Sequence, residues 1–144
     1  MELSTRSRYG LRLMLELASN KKHEPMLLKD IARRQDISEK YLSQIVLSLK
    51  NKGLVNTYRG AHGGYLLGKP AEEVSLQEIV ETLEGSLSLV PGVRDSNNSK
   101  NSIESVAQNV WSNMSSLLTN YLKEVTLADL VKDKEAMDNS VDEE

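Results

Sequence analysis

The sequence contains no cysteine and no phenylalanine. Without a thiol, the chain as given cannot form a disulfide bond, a thiolate metal site or a thiol nucleophile. Its two histidines, His23 and His62, lie in separate predicted loops, and no phosphate-binding glycine motif stands between a strand and a helix. No nucleophile and base, and no set of metal ligands, is therefore brought together by a recognisable motif. We do not expect an enzyme.

Long apolar runs are also missing. No run approaches the ~20 residues that a membrane-spanning helix needs. The first ten residues, MELSTRSRYG, lack the basic-then-apolar order of a signal peptide. We expect a cytoplasmic protein. A chain of 144 residues has the size of about one domain, so one core with an appendage is expected.

The charged residues are unevenly distributed. Residues 1–70 hold 13 Lys and Arg against 6 Asp and Glu, whereas residues 71–144 hold 5 against 15. A basic front half and an acidic back half suit a chain that presents one face to a polyanion. The alternative is chance variation combined with a solvated acidic tail. That tail accounts for much of the acidic excess, but it cannot create the basic one.

Residues 26–69 predict two short helices around a tight turn, followed by a hairpin. Ser38 is a suitable N-cap for the second helix, and Gly53 supplies a left-handed stop. One face of that helix is apolar. The opposite face carries Glu39, Lys40, Ser43, Gln44, Leu47 and Ser48. Polar groups in its first turns are the kind that contact base edges in a major groove.

The hairpin is predicted from two strand-like runs, LVNTYR and YLLGK, joined by GAHGG. Its three glycines permit positive φ angles and let the backbone approach another molecule closely. Arg59 at the base can pair with phosphate or enter a minor groove, and His62 lies at the tip. A solvated loop histidine is the alternative for His62. A hairpin in this position is typical of the wing of a winged helix-turn-helix.

The first helix is predicted to begin at Ser4 or Thr5 and to end near Ser19. Arg6, Arg8 and Arg12 make its first turns basic. Of these, Arg6 is the candidate for a phosphate contact. Simple solvation of these arginines is the alternative.

The second half of the chain predicts a dimerisation element. Ser75 and Glu78 form a capping box for a helix that Gly85 ends. Residues 86–102 have no periodicity and predict a long regulatory loop. One long helix with two apolar stripes follows over about 103–125, and one stripe needs a partner, most simply a second copy of the chain. A buried helix in a monomer is the alternative.

The resulting fold class is mainly α with a small β-hairpin. Residues 1–85 form a winged helix-turn-helix DNA-binding domain, and residues 103–131 form the dimerisation helix with a docked turn. Residues 132–144 are predicted to be an acidic, disordered tail.

Four motifs carry a resemblance to a known family: LSTRSRYGLRLMLELA (3–18), LKDIARRQDISEKYLSQIVLSLKNKGLV (28–55), RGAHGGYLLGKP (59–70) and LEG (83–85). In this order and spacing the chain resembles the Rrf-type bacterial winged-helix transcriptional regulators over almost its whole length. The resemblance implies a homodimer that binds an approximately palindromic operator in double-stranded DNA, and so represses or activates transcription.

Matched position by position, the resemblance puts the start of the second helix of the motif and the residues from Arg59 to Gly64 on the DNA. For Tyr41 a core position and a DNA-facing position both stay open. The candidate DNA-binding residues are Arg6, Ser38, Lys40, Tyr41, Gln44, Arg59, Gly60, His62, Gly63 and Gly64.

The family often carries three cysteines before the long helix, which hold a two-iron two-sulfur cluster. The corresponding positions here are Gly92, Ser99 and Ser105, and none of them replaces a thiolate. Gln108 is a weak candidate for a fourth ligand. We therefore expect no metal and no cofactor in this chain, with a 2Fe-2S cluster only in a cysteine-bearing parent.

Two explanations of the missing cysteines stay open. The chain is an IscR-type regulator in apo form whose ligands were replaced, or a naturally cluster-free CymR-like regulator controlled by a protein partner. The first is favoured because the loop keeps its length and is still followed by VAQNVW. A winged-helix protein-interaction module without DNA binding is a further alternative.

Overall fold

The computed structural model describes residues 1–89 and 101–142. Gly92, Ser99 and most of the predicted regulatory loop lie outside these residues. No helix within them is both long and apolar enough to cross a membrane. In chain order the elements are α1 (Thr5–Ala18), α2 (Leu28–Gln35), α3 (Glu39–Asn51), β1 (Val55–Tyr58), β2 (Gly64–Leu67), a 3-10 turn (Ala71–Glu73), α4 (Leu76–Glu84), α5 (Ser102–Glu124) and α6 (Leu127–Asp142).

The predicted starts and stops of the first helices are confirmed. Ser4 caps α1, and the Ser38 hydroxyl caps α3 by accepting a hydrogen bond of 3.3 Å from the amide of Tyr41. Asp36 ends α2 in the left-handed region at φ 52°, and Gly53 follows α3 at φ 75°. Each boundary therefore rests on a local side chain or on a backbone conformation.

The main core lies where α1, α3 and α4 meet. Gly10 allows this approach, because a Cβ atom there would lie 2.1 Å from Cδ1 of Leu83 and 3.3 Å from Cγ2 of Ile45. The largest fully buried side chains are Leu13, Met14, Ile31, Leu42, Ile45, Leu49, Val55, Val74, Ile79 and Leu127. The apolar face predicted for α3 is thus the face that enters this core.

The two strands form an antiparallel hairpin in which Val55 is opposite Leu67 and Tyr58 is opposite Gly64. Met26, which lies outside both strands, pairs with Tyr65 of β2 as an isolated antiparallel bridge. Its amide donates to the carbonyl of Tyr65 at 3.0 Å, and its carbonyl accepts from the amide of Tyr65 at 2.8 Å. The hairpin is therefore anchored to the segment that leads into α2.

The long helix joins the core through main-chain hydrogen bonds at one end. The amide of Leu76 donates to Val125 and the amide of Leu127 donates to Val74, both at 2.8 Å. The predicted capping box of Ser75 and Glu78 is present beside them. Elsewhere α5 has little support, since Leu122 is its one buried residue among 23.

Residues 132–142, which were predicted to belong to a disordered tail, are helical, because α6 continues to Asp142. Its first turn is capped reciprocally: Asp129 accepts from the amide of Thr126 at 3.0 Å, and Thr126 accepts from that of Asp129 at 3.1 Å. Lys134 then pairs with Asp138 one turn later at 2.6 Å. Buried Leu127 attaches the helix to the core. These local bonds support a helix that has little apolar periodicity.

Candidate nucleic-acid interface

The outward face of α3 is polar at its start and apolar near its middle. Lys40, Ser43 and Gln44 are exposed, as the helical periodicity predicts. Leu47 lies farther along this face and is 57% exposed. The sequence predicted the position of Leu47 on this face but no role for it. A large apolar side chain on an otherwise polar helix face is itself a signal of contact. The face therefore offers both hydrogen-bonding groups and a methyl-bearing contact.

Tyr41 packs on α1. Its ring meets that of Tyr9 edge to face, with 6.0 Å between the ring centroids and 84° between the planes. The guanidinium of Arg12 lies 5.5 Å from the centroid of Tyr9 on the same helix. Tyr41 is half-buried, so its ring acts as a spacer that holds the start of α3 against α1.

Arg6 also connects α1 to α3. Its Nη2 donates a hydrogen bond to the hydroxyl of Ser48, and the residue is half-buried. Arg8, two positions later, is exposed. The structure therefore places Arg6 where it orients the last turns of α3, while Arg8 keeps its charge in solvent.

The predicted hairpin residues Arg59, Gly60 and His62 are exposed. The glycines that follow are needed within the chain itself. A Cβ atom at Gly63 would lie 2.3 Å from the carbonyl oxygen of Tyr58, and one at Gly64 would lie 2.5 Å from that of Met26. These two glycines therefore let the backbone turn and pair closely, which the sequence alone attributed to a partner molecule.

Several cations along α3 and the hairpin are free to meet phosphate. Lys40, Lys50, Lys52 and Arg59 are exposed and form no ion pair within the described part of the chain. Lys69, by contrast, is bound to Glu78 at 2.7 Å.

The Lys69 to Glu78 contact also sets the ionisation of that carboxyl. Burial alone would raise the pKa of Glu78, but the hydrogen bonds from Lys69 and from the amide of Ser75 outweigh it and hold the pKa below its ordinary value. Lys69 therefore already has an acidic partner within the chain, unlike Lys40, Lys50, Lys52 and Arg59.

The residues present do not fit an iron–sulfur cluster. The whole chain lacks cysteine, and the described residues contain no group of three or more His, Asp or Glu arranged around a metal position. Ser105 lies in the first turn of α5, where its amide donates to Asn101 at 3.0 Å. The side-chain oxygen of Gln108 is buried and finds no partner among the described residues. A thiolate-held cluster has no donors here.

Residues 3–133 match the Rrf2 family, described as "Iron-dependent Transcriptional regulator". The chain belongs to the Rrf2 family. It is similar to the HTH-type transcriptional regulator CymR of Bacillus subtilis, with 38% identity over 130 residues that cover 90% of this chain and 89% of the relative. It is also similar to the HTH-type transcriptional regulator IscR of Escherichia coli O1:K1 / APEC, with 34% identity over 140 residues, which are 97% of this chain and 86% of that one.

A solved Rrf2-family structure has the same fold. It is the structure of CymR, "the Global Cysteine Regulator of B. subtilis", which has a TM-score of 0.79 and 36% identity and covers 92% of this chain and 97% of that chain. The predicted fold class and the predicted role as a DNA-binding transcriptional regulator are confirmed. Apart from the missing cysteines, the described residues hold no group of three or more His, Asp or Glu that would match the iron dependence in the family's description.

Proposed function

We propose that this regulator works as a two-fold dimer joined through α5, that it binds an approximately palindromic operator in double-stranded DNA, and that it does so without an iron–sulfur cluster. One observation carries the proposal, which is the exposed apolar surface of α5. The large apolar side chains exposed along this helix are Ile103, Val106, Val110, Trp111, Met114, Leu117, Leu118 and Tyr121.

A second copy of α5 is the partner that best covers this surface. Burial of apolar area is favourable by about 25 cal/mol per Å². A two-fold arrangement lets the same stripe on each chain cover the other, and it closes without leaving a further surface open. Two copies of α3 are then related by the same axis, and a two-fold pair of reading helices matches a palindromic site.

Within each half-site, α3 enters the major groove. Gln44 suits a bidentate contact with adenine, Lys40 suits guanine or phosphate, and Leu47 suits the methyl group of thymine. Ser38 lies at the same end of the helix. Arg59, with Gly60 and the tip of the wing at His62, meets the adjoining backbone or minor groove. In this arrangement residues 1–85 form the reading head of the protein.

Two further residues of the predicted set contribute to DNA binding indirectly, by positioning α3. Arg6 and Tyr41 hold α3 against α1 through Ser48 and Tyr9. We assign them to the positioning of the reading helix. Gly63 and Gly64 shape the wing in the same indirect way.

The cluster-free state has its own test. If the chain descends from an IscR-type sensor, changing Gly92, Ser99 and Ser105 together to cysteine should restore cluster binding, and visible iron–sulfur absorbance should follow anaerobic reconstitution. A colourless triple variant favours the natural CymR-like alternative. The unchanged chain is the control, since it has no thiolate.

DNA reading is tested by selecting an operator from a random duplex pool and measuring binding by fluorescence anisotropy. We expect the selected site to bind about 10³-fold or more tightly than random duplex. The logarithm of the affinity should fall linearly with the logarithm of the salt concentration. Equal affinity for both duplexes would contradict sequence-specific binding.

The dimer is tested with one substitution on α5 and a matched one on α6. Leu117 is 72% exposed and Met137 is 70% exposed, so replacement by glutamate has the same cost in the monomer at both sites. Leu117→Glu places an unpaired carboxylate in the proposed interface. It should dissociate the dimer in analytical ultracentrifugation and weaken operator binding about 100-fold. Met137→Glu should change neither, and the reverse result would move the interface to α6.

A further inference from the structure

A cavity of about 460 Å³ opens between α1, α2 and the middle of α6, and the proposed DNA contacts do not use it. Its volume lies within the range of small-molecule sites, about 300–1,000 Å³. Its polar lining comes from three helices and includes Arg12, Glu16, Ser19, Arg34, Gln35 and Lys134.

The charges in the cavity are unbalanced in favour of cations. Glu16 is already bound, because Arg34 approaches its Oε2 at 3.0 Å through Nη2 and Gln35 approaches its Oε1 at 2.6 Å. Burial would raise the pKa of Glu16, but these hydrogen bonds and the charge of Arg34 outweigh it and hold the pKa below its ordinary value. The carboxylate therefore stays ionised and binds Arg34, and the charge of Lys134 also lowers its pKa. Arg12 is the cation of the lining that has no carboxylate partner among the described residues.

Arg12 has only neutral acceptors within the described residues. Its Nε donates to the side-chain oxygen of Gln35 at 3.1 Å, its Nη2 donates to the Gln35 carbonyl, and its plane lies near the ring of Tyr9. Lys134 pairs with Asp138 at 2.6 Å outside the cavity lining, and this hydrogen bond, with the charges of Asp138, Glu135 and Glu16, raises the pKa of Lys134. Its ammonium group therefore stays charged and can share its remaining donors with a ligand. An anionic group would replace the neutral acceptors of Arg12 with a stronger, charge-assisted one.

The remaining wall adds a hydroxyl and an apolar surface. Ser19 lines the cavity, and its Oγ is buried without a partner among the described residues. A serine hydroxyl changes rotamer at small cost, so it can turn to donate to a bound acceptor. Leu15 and Met26 form the apolar part of the wall. A cation, a spare hydroxyl and an apolar wall together fit a small acid with a carbon skeleton.

We propose that this cavity binds a small organic carboxylate, with the carboxylate on Arg12 and Lys134 and the carbon skeleton on Leu15 and Met26. Inorganic phosphate offers the same oxyanion chemistry, but it leaves the apolar wall without a contact. A carboxylic acid of a few carbons satisfies both parts of the lining.

The ligand also acts on DNA binding, and this part rests on the proposed function. Arg12 holds the carbonyl of Gln35, the last residue of α2 before the turn into α3, and it lies beside Tyr9, which packs on Tyr41. A carboxylate that draws Arg12 away from Gln35 changes how the start of α3 is held. Ligand and operator therefore alter each other's affinity by the same factor.

Binding is tested by isothermal titration calorimetry of the full chain at low ionic strength, with propionate, succinate and inorganic phosphate as the probes. We expect saturable binding of one carboxylate per chain. Arg12→Gln should weaken it about tenfold, and Ser19→Ala should weaken it about threefold. The matched control is Arg8→Gln, which removes an exposed charge one turn earlier on α1, outside the cavity lining, and should change affinity less than about twofold.

Three outcomes would overturn the assignment. These are no saturable heat with either carboxylate, tighter binding of phosphate than of both carboxylates, or equal losses in Arg12→Gln and Arg8→Gln. Because Arg12 also supports the fold, Lys134→Gln gives a second variant on an exposed side chain. It should weaken carboxylate binding, while the melting temperature falls only slightly through the loss of the exposed pair with Asp138. Unaltered binding would remove Lys134 from the site.

The coupling is measured separately. Saturating carboxylate should change operator affinity at least about threefold in the wild-type chain and leave it unchanged in Arg12→Gln. An unaltered operator affinity in the wild type would overturn the coupling. A chain that binds carboxylate normally but never binds DNA specifically would refute the proposed function and leave the cavity assignment standing.

Discussion

The reading head and the long helix differ in how many of their apolar side chains are buried within a single chain. In the head, Leu13, Leu42 and Ile45 are fully buried among α1, α3 and α4. In α5, Leu122 is the one buried residue, and Ile103 at the other end is 79% exposed. A single chain therefore buries the apolar residues of the proposed reading head, whereas it leaves those of the proposed dimerisation helix exposed. Stability and assembly should respond to different substitutions.

The largest effect should come from the core of the head. Ile45→Ala removes a fully buried side chain and should lower the free energy of unfolding by about 2–5 kcal/mol, because a cavity is left behind. Urea denaturation measures this, and the loss should be the same at low and high protein concentration. Ile103→Ala is the control, and at concentrations where monomers dominate it should change stability by less than about 0.5 kcal/mol. A large effect from Ile103→Ala in the monomer would contradict the division between the two regions.

In the wing, a glycine whose added Cβ atom would meet another part of the chain should be more sensitive to substitution than a glycine with open space around it. Gly64→Ala places a Cβ atom 2.5 Å from the Met26 carbonyl oxygen at φ 152°, and it should cost about 1–3 kcal/mol of stability. Gly60→Ala is the matched variant, because Gly60 has a positive φ of 112° but a Cβ atom there would have no neighbour within 4 Å. Thermal melts of both variants should show the smaller loss for Gly60→Ala. Equal losses would mean that φ alone, and not the approach of Met26, sets the cost.

Arg59 should affect the reading of DNA without affecting the fold. Arg59→Ala removes an exposed guanidinium and should weaken operator binding by about 1–3 kcal/mol if the arginine makes a specific contact. The melting temperature and the oligomeric state should stay unchanged. Lys132→Ala removes an equally exposed charge from α6 and serves as the control in the same anisotropy assay. If both substitutions weaken operator binding equally, Arg59 acts through its long-range charge and not through a specific contact.

The smallest effect concerns pH and the contact between Glu84 and the start of α1. Hydrogen bonds from the hydroxyls of Ser7 and Ser4 hold the pKa of Glu84 below its ordinary value of 4.5. A carboxyl with a lower pKa in the folded state stabilises the fold above its unfolded pKa, and this contribution is lost as the pH falls through the folded value. Because water screens this surface contact, it should be worth less than about 1 kcal/mol.

Glu84→Gln should therefore lower the melting temperature slightly at pH 7 and flatten its decline below pH 4.5. Circular dichroism melts across this range provide the measurement. Glu81→Gln, on the exposed side of the same helix, is the control. If the melting temperature of Glu84→Gln falls as steeply with decreasing pH as that of the wild type, other carboxylates cause the loss of stability in acid.

Features carried by neighbouring residues were predictable from the sequence. The capping box at Ser75, the stop at Gly53 and the apolar face of α3 each depend on residues within a turn or two, and the structure has all three. The order of the winged helix follows from them. Local chemistry therefore accounts for most of the reading head.

The partners of Arg6 and Tyr41 were not predictable, because both lie on another helix more than 30 positions away along the chain. A helical wheel shows the direction in which a side chain points. It does not show which residue of another helix will lie next to that side chain. The same applies to Gly64, whose close neighbour is the carbonyl of Met26. These contacts exist only once the helices have packed.

The first turn of α6 lies within the docked turn predicted up to residue 131, but its continuation beyond Lys132 was not predicted, for a different reason. Its acidic composition is typical of disorder, and it outweighed a local signal that was present, namely the reciprocal pair of Thr126 and Asp129. The ion pair of Lys134 and Asp138 adds further support that a count of apolar residues does not register. Composition was the weaker guide here because the helix is held by caps and pairs.

The junction between the head and α5 includes two main-chain hydrogen bonds, from Leu76 to Val125 and from Leu127 to Val74, beside the packed side chains of Leu76, Val80 and Leu122. Every residue except proline carries the same main-chain donor and acceptor, so most substitutions at these positions leave both groups in place. This part of the attachment between the head and the long helix therefore depends less on side-chain identity than the packed cluster beside it does. In the proposed dimer, a substitution on α3 can therefore change DNA specificity without altering these two bonds between the head and α5.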